Sequence, residues 1–436
     1  MTSVSFLRPN SRVPSVDSTA SMKILVVASK YLPEYTGASY RIDRLYRALV
    51  EQFPSWLVTV ICGGVEHSSR ADYEIAGLHI RRVRSRTASP SNRIVQLYSE
   101  IGDIRESLQY LRSIRCDVIH TIGTGPVVAA AIHHAKRHGI PILIEMVTDG
   151  AEPDQGLPLL RRWRRPDLHN GAAIVAISPP LGEFCRRRGY DSNVWIRPNP
   201  VDTKKFFPDP LARAQLRAEV TPFGEDDVVI ASVAKIMAQK NQIFLLEVLA
   251  RLPEHFKLVL AGPLVEGGAL AARDRAYFAA IQARIQELGL SARVHLVPQF
   301  VAAEKYIKAA DMVAMPSVQE GLGTPLLEAQ ACAIPALCNA DIPAFAAYVT
   351  DGVTGFLRPL DPALWAQAAH ATVNLDRSAL TYAADKIAAQ YAEPEICARY
   401  ARLLLALASA GPDARIEVAK VLADESNIAA GASAAE

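Results

Sequence analysis

No apolar run in this 436-residue sequence approaches the ~20 residues of a membrane span. A spanning helix is therefore not expected. The six cysteines, at 62, 116, 185, 332, 338 and 397, form no C-x-x-C pair and no disulfide-framework spacing. Several stand in apolar runs, which reads as buried thiols in a reducing compartment. There is no Asp-x-Asp motif and no His/Cys cluster with ligand spacing, so no metal is expected. A full G-x-G-x-x-G after the first strand is also missing, which argues against a dinucleotide dehydrogenase. No repeat of 20–50 residues and no nucleic-acid recognition module is visible. The stretch Met1 to Ser21 is polar, with two prolines and no apolar signal segment. It reads as a disordered arm. A cytoplasmic enzyme is the simplest expectation.

What is present suits a folded protein of two domains. Half the residues are apolar and about a fifth charged. The formal charge of +2 conceals an asymmetry: residues 1–200 carry 26 basic and 18 acidic side chains, the remainder 21 and 27. Arginines cluster at Arg81, Arg82, Arg84 and Arg86, at Arg161, Arg162, Arg164 and Arg165 around Trp163, and at Arg186 to Arg188. Two readings stay open. They are solvated helix faces, or they touch an anionic membrane or a phosphorylated, lipid-linked acceptor at the inner face of a membrane. Nucleic acid is not an expected partner.

Apolar runs alternate with helical patterns from Lys23 onward. KILVVAS, LVTVIC, LHIRRV, DVIH, IPILIEM, AAIVAIS and NVWI are strand candidates, with helices over Ser39–Gln52, Asn92–Ile114 and Val127–His138. Such alternation predicts a parallel sheet covered on both faces. Arg197 to Pro210 holds four prolines and breaks the pattern, which places a linker there. VVIASVA, FKLVLAG, RVHLVP, DMVAMP, IPALCN and TGFLR then supply a second series of strands. Beyond Leu360 only helices are expected, the Glu395–Ala408 stretch bearing Ile396, Tyr400, Leu403, Leu404 and Leu407 on one stripe. The expected units are an arm over 1–21, domains over 22–200 and 201–377, closing helices over 378–410 and a mobile tail over 411–436 with at most one short helix.

The most informative stretch is MPSVQEGLGTPLLEAQA. Glu320 and Glu328 flank a Gly-x-Gly turn and a helix start, with Thr324 expected as N-cap and Pro325 as first helical residue. Glu328 then falls on the opening turn. Exposed amides of Gly321, Leu322, Gly323 and Thr324 at a positive helix end suit phosphate, and carboxylates suit sugar hydroxyls. Lys235 and Lys240 leave the strand VVIASVA and can flank a diphosphate. Gly37, between the first strand and first helix, allows close approach of a ligand to the backbone. Each has a plainer reading: solvated lysines, a surface-loop acid at 320, and a helix-start acid at 328 favoured by the dipole.

The order of these motifs resembles retaining glycosyltransferases of family 4, with their Glu-x7-Glu signature and GT-B fold. MKILVVASKYLPEYTGAS, DVIHTIG, IVAISPPLGEFCRRRGY, IRPNPVDTKKFFP, SVAKIMAQKN, RVHLVPQFV, AADMVAMPS and DGVTGFLRPLDP follow in the family's order, over roughly Met22 to Ser409. The resemblance implies two Rossmann-like domains facing a cleft, with a C-terminal helix crossing back to the first domain. It also implies that Glu320 contacts the donor sugar, Glu328 the nucleotide ribose, and Lys235 and Lys240 the diphosphate. The sequence departs from the pattern in several places. Lys235 replaces an Arg, Asn241 and Thr36 replace glycines, and Asp341-Ile342-Pro343-Ala344 stands where relatives have Gly-Gly and an acid. Where many relatives carry a His, Thr148 and Asp149 stand; Asp149 either steadies the cationic sugar or caps the loop. His120 reads as a polar strand-end residue. The implied activity is retaining, metal-independent sugar transfer from a nucleotide sugar to a hydroxyl acceptor by front-face attack. The alternatives are a phosphorylase or epimerase of this fold, or a non-catalytic sugar-nucleotide binder or scaffold.

Overall fold

The structure is a computed structural model that describes residues 21–34, 36–64, 69–84, 93–147, 171–190, 193–197, 199–264, 271–410 and 413–433. Outside them lie Asp149, Thr148, residues 161–165 of the middle arginine cluster, Arg86 and all but the last residue of the expected arm.

The first series of elements is β1 (Met22–Ala28), α1 (Gly37–Gln52), β2 (Trp56–Cys62), β3 (Ala71–Ile75), β4 (Leu78–Arg82), α2 (Arg93–Ser113) and β5 (Val118–Ile122). It continues through α3 (Pro126–His138), β6 (Ile142–Met146), β7 (Ala173–Ala176), α4 (Pro179–Arg187) and β8 (Val194–Ile196). These strands form one sheet in the order β3-β4-β2-β1-β5-β6-β7-β8. Ile24 and Val26 of β1 face one core, shared with α1; Leu25 and Val27 face the other, shared with α3. That strict alternation in a run apolar throughout is what burial on both faces demands.

The second series is α5 (Arg213–Val220), β9 (Val228–Val233), α6 (Phe244–Leu249), β10 (Phe256–Ala261), α7 (Ala271–Glu287), β11 (Val294–Val297) and α8 (Ala303–Ala309). Then follow β12 (Met312–Met315), α9 (Thr324–Ala331), β13 (Ala336–Asn339), α10 (Pro343–Ala346), β14 (Gly355–Arg358), α11 (Pro362–Thr372) and α12 (Arg377–Tyr391). All pairings here are parallel, in the order β11-β10-β9-β12-β13-β14. In both sheets the strand order reverses beside the first strand, between β1 and β5 and between β9 and β12. A crevice opens at such a reversal beyond the carboxyl ends of the strands.

Two helices close the chain. Ile396, Cys397, Tyr400, Leu403, Leu404 and Leu407 of α13 (Glu393–Ala410) are buried in the first domain's core, so this helix crosses back. The linker meets it: Val201 N–H donates to Tyr391 O at 2.8 Å, and Glu393 N–H to Val201 O at 3.0 Å.

Three expectations need correction. The first sheet is not wholly parallel, because β3 pairs antiparallel with β4 through a turn at Ala76 and Gly77, both at positive φ. The closing helices divide: α12 stays on the second domain, with Ile387 buried in its core, and the crossing starts only after Tyr391. The segment expected as a mobile tail with at most one short helix carries a 20-residue helix, α14 (Ala414–Ser433), whose Ala414 and Val418 are buried in the first core. Among the described residues, no helix is long and apolar enough to cross a membrane.

Candidate active site

The second sheet's reversal point brings the loop after β9 against the loop after β12. A single 3-10 turn, Ala238–Lys240, follows β9, and Asn241 leaves it in the left-handed region at φ +53°. Val318 N–H donates to Gln239 O at 3.0 Å, and Gln239 Nε2 to Gln319 O at 2.8 Å. These bonds lock the loops together and set the geometry of the next pair. Lys240 Nζ donates to Glu320 Oε1, which also accepts from Ser317 Oγ at 2.8 Å. Ser317 is itself buried, and its carbonyl accepts from Asn339 Nδ2 at 3.0 Å. Lys240 and Glu320 stay half-buried, so their mutual attraction is stronger than in open water yet remains open to a competing ligand.

Helix α9 starts differently from expectation. Thr324 is the first helical residue and Gly323 the cap, at φ +82°. A Cβ on Gly323 would meet Phe345 Cε1 at 2.5 Å and Met315 Cε at 3.0 Å, so packing as well as φ requires glycine. Thr324 Oγ1, freed from capping, accepts from Asn199 Nδ2 at 2.6 Å, a bond from the interdomain linker to the helix start. Leu322 is buried in the second core and anchors the loop, while Gly321 is half-buried. Among the described residues, the N–H groups of Gly321, Leu322, Gly323 and Thr324 meet no acceptor. Unpaired amides at a helix start favour an anion.

Glu328 is the fifth helical residue and lies in the second turn, not the opening one. Burial pushes its carboxyl up to about 7, against the pull of Arg44 and with a further push from Glu304. Part of its surface remains accessible, yet protein atoms hem it in on most sides. Its electrostatic partners are thus on α1 and α8; the structure pairs Glu320, and not Glu328, with an ammonium group. Arg44 in turn donates to Asp202 at 3.1 Å and to Glu393 at 2.5 Å, tying α1 to the linker and to the start of α13.

Lys235 also stands at this sheet end but faces Asp274 Oδ2 of α7 at 3.6 Å. Gly262, at the end of β10, lets the strands close here: a Cβ would meet Ala234 O at 2.0 Å. Gly37 is the first residue of α1 on the other domain, with nothing within 4 Å of where a Cβ would stand. Thr36 is the N-cap, in a reciprocal capping box with Ser39. A small cavity of about 30 Å³ beside them is lined by Ser29, Thr36, Ser39 and Gly123. A larger one of about 560 Å³, bordered by Thr221, His295, Gln299 and Tyr306, touches none of the candidate residues.

The sequence reading missed a buried network in the first domain. Glu145, at the end of β6, is held by Arg41, by Arg197 at 3.3 Å and by the Tyr400 hydroxyl at 3.0 Å. His120 Nε2 lies 3.2 Å from Glu145 Oε2, the oxygen that also accepts from Tyr400, and Tyr46 OH is 2.7 Å from His120 Nδ1. Burial alone would raise the Glu145 carboxyl; Arg41 and Arg197 outweigh it and hold it well below the usual range. Burial lowers His120 against the pull of Glu145, which favours the neutral ring. His120 is therefore a buried mid-strand residue and not a strand end. Among the described residues no group of His, Cys, Asp and Glu could hold a metal ion.

Comparison with known proteins bears on the family and the fold. The family model "Glycosyltransferase Family 4" matches residues 35–205, and "Glycosyl transferases group 1" matches 215–373. The chain is similar to D-inositol 3-phosphate glycosyltransferase of Mycobacterium sp. (strain KMS), 36% identical over 159 residues, covering 36% of this chain and 34% of the relative. It is similar to the putative glycosyltransferase EpsF of Bacillus subtilis, 29% identical over 185 residues, covering 41% and 45%. The matches thus span a third to under half of the length of these relatives. Among solved structures, the Anabaena protein HepE in complex with UDP and glucose superposes with a TM-score of 0.67 at 17% identity, over 88% of this chain and 99% of HepE. Sucrose-phosphate synthase from Thermosynechococcus elongatus gives 0.69 at 19% identity, over 88% and 99%. At such identities the likeness establishes the GT-B fold.

Proposed function

Since the chain belongs to the group 1, family 4 glycosyl transferases, we propose that it moves a sugar from a nucleoside diphosphate to an acceptor hydroxyl, with retention and without a metal ion. The observation that carries this reading is the meeting of Lys240 and Glu320 beside the unpaired amides of Gly321 to Thr324. An ammonium group and a helix start offer charge to a diphosphate, and the carboxylate offers an acceptor to sugar hydroxyls. In the proposed step the bond from the anomeric carbon to the diphosphate oxygen breaks. The acceptor oxygen bonds on the same face, and its proton passes to the leaving phosphate. Lys240 and Lys235 stabilise the charge that grows on that phosphate. Glu328, on the same helix, takes the ribose hydroxyls. In this reading Asp149 steadies the cationic sugar, Gly37 lets donor phosphate or acceptor approach the backbone, and the arginine clusters contact an anionic membrane or lipid-linked acceptor.

A thermal-shift panel of UDP-, GDP- and ADP-sugars, followed by mass spectrometry of products, tests it. Since HepE is described with UDP and glucose, UDP-glucose is one member of the panel. The expected result is stabilisation by one donor class and release of its diphosphate, undiminished in EDTA. Loss of turnover in EDTA, restored by a divalent ion, overturns metal independence. Binding without turnover across many acceptors contradicts the transferase.

A further inference from the structure

The two lysines at the second sheet's reversal point are neutralised in different ways. Lys240 makes a hydrogen bond to Glu320. Lys235 instead stands 3.6 Å from Asp274 Oδ2, too far for a good hydrogen bond. Asp274 is fully buried, and among the described residues its Oδ2 accepts no hydrogen bond. Among the described residues, its Oδ1 faces the neighbouring, half-exposed Arg273, at 3.2 Å. A buried carboxylate oxygen without a donor is destabilising. The first turn of α7 favours a carboxylate, but that leaves Oδ2 without a donor among the described residues, and an unsatisfied buried group calls for a further role.

We propose that Asp274 is the counter-charge of the phosphate site: it balances Lys235 when the site is empty and competes with the diphosphate for that ammonium group. The inference rests on the proposed donor site and deepens it. With Asp274 in place, a bound nucleoside diphosphate must win Lys235 from a fixed carboxylate, so the released product is gripped less tightly. Asp274 touches no substrate; it acts through Lys235 and is a positioning residue. The loose separation serves exchange, because no hydrogen bond has to be broken before the ammonium group turns to phosphate.

The test is calorimetric titration of the full chain with UDP, GDP and ADP, for wild type, Asp274→Asn, Lys235→Ala and the double variant. Asp274→Asn is expected to tighten the nucleotide that binds by about fivefold, with a steeper loss of affinity as salt rises. In the Lys235→Ala background the same substitution should change affinity less than about twofold. A merely structural role would weaken binding instead. Unchanged or weaker binding in Asp274→Asn, or tightening that persists without Lys235, overturns the inference. Where Asp274→Asn does not fold, Asp274→Ser takes its place under the same criteria. If wild type binds none of the three diphosphates, the donor reading fails together with this inference. If wild type binds and Lys235→Ala weakens it while Asp274→Asn does not tighten it, only the inference fails.

Discussion

Both domains place charge beyond or near the carboxyl ends of a parallel sheet, but they spend it differently. In the first, Glu145 is wholly buried and shared by Arg41, Arg197, Tyr400 and His120. In the second, Lys240 and Lys235 each face one acid and keep a fifth of their side-chain surface exposed. Charge fully committed to protein partners builds scaffold: the Glu145 group binds α1, β5, β6, the entry to the linker and the crossing helix in one place. An ammonium group that faces a single acid and keeps part of its own surface open can change partners. The proposed function places the donor at this second cluster.

The sharpest way to break this comparison is Glu145→Ala. Removing it strands two buried guanidinium groups, and breaking a buried pair typically costs about 3–5 kcal/mol. Urea unfolding should show that loss; a change below about 1 kcal/mol would mean that the first cluster is no scaffold. Lys240→Ala comes next, expected to lower sugar transfer at least about tenfold, or ~1.4 kcal/mol, while leaving the urea midpoint near wild type. Wild-type turnover would remove Lys240 from the proposed machinery.

A third test concerns Glu328, whose folded carboxyl is raised to about 7. A raised acid is a burden on folding above that pH, where it must ionise in its buried place, and none below the unfolded value near 4.3. Glu328→Gln should thus raise the melting temperature at pH 8 and leave it unchanged at pH 4. The opposite trend would deny the burial argument. The smallest effect is expected at the linker: Asn199→Ala loses the bond to Thr324 and about 1 kcal/mol of stability. Binding of the donor nucleotide should weaken with it if the linker orients α9.

Much of the fold was legible in the sequence because its strands are continuous apolar runs. ADYEI of β3 escaped notice, since an edge strand with alternating polar residues lacks such a run. The Ala, Asp and Glu content of α14 points to a tail with at most a short helix, although Ala414, Val418 and Leu422 recur at helical spacing. At the site, Glu320 and Lys240 were readable from the turn and helix signals around them. The N-cap was not: Thr324 is the better capping residue locally, but Phe345 and Met315 leave room only for Gly323 at that corner. Asp274, Asn199 and the Glu145 group were invisible for a different reason. Each meets its partner across a long stretch of chain, 125 residues for Asn199 and Thr324, and leaves no local pattern.

A crystal structure of the full chain with the nucleoside diphosphate that binds it would test the central claim most directly. The account predicts phosphate oxygens against the amides of Gly321 to Thr324, with Lys240 turned from Glu320 toward them. A nucleotide lodged instead between β1 and β5 of the first sheet, with the Lys240–Glu320 pair still closed, would contradict it.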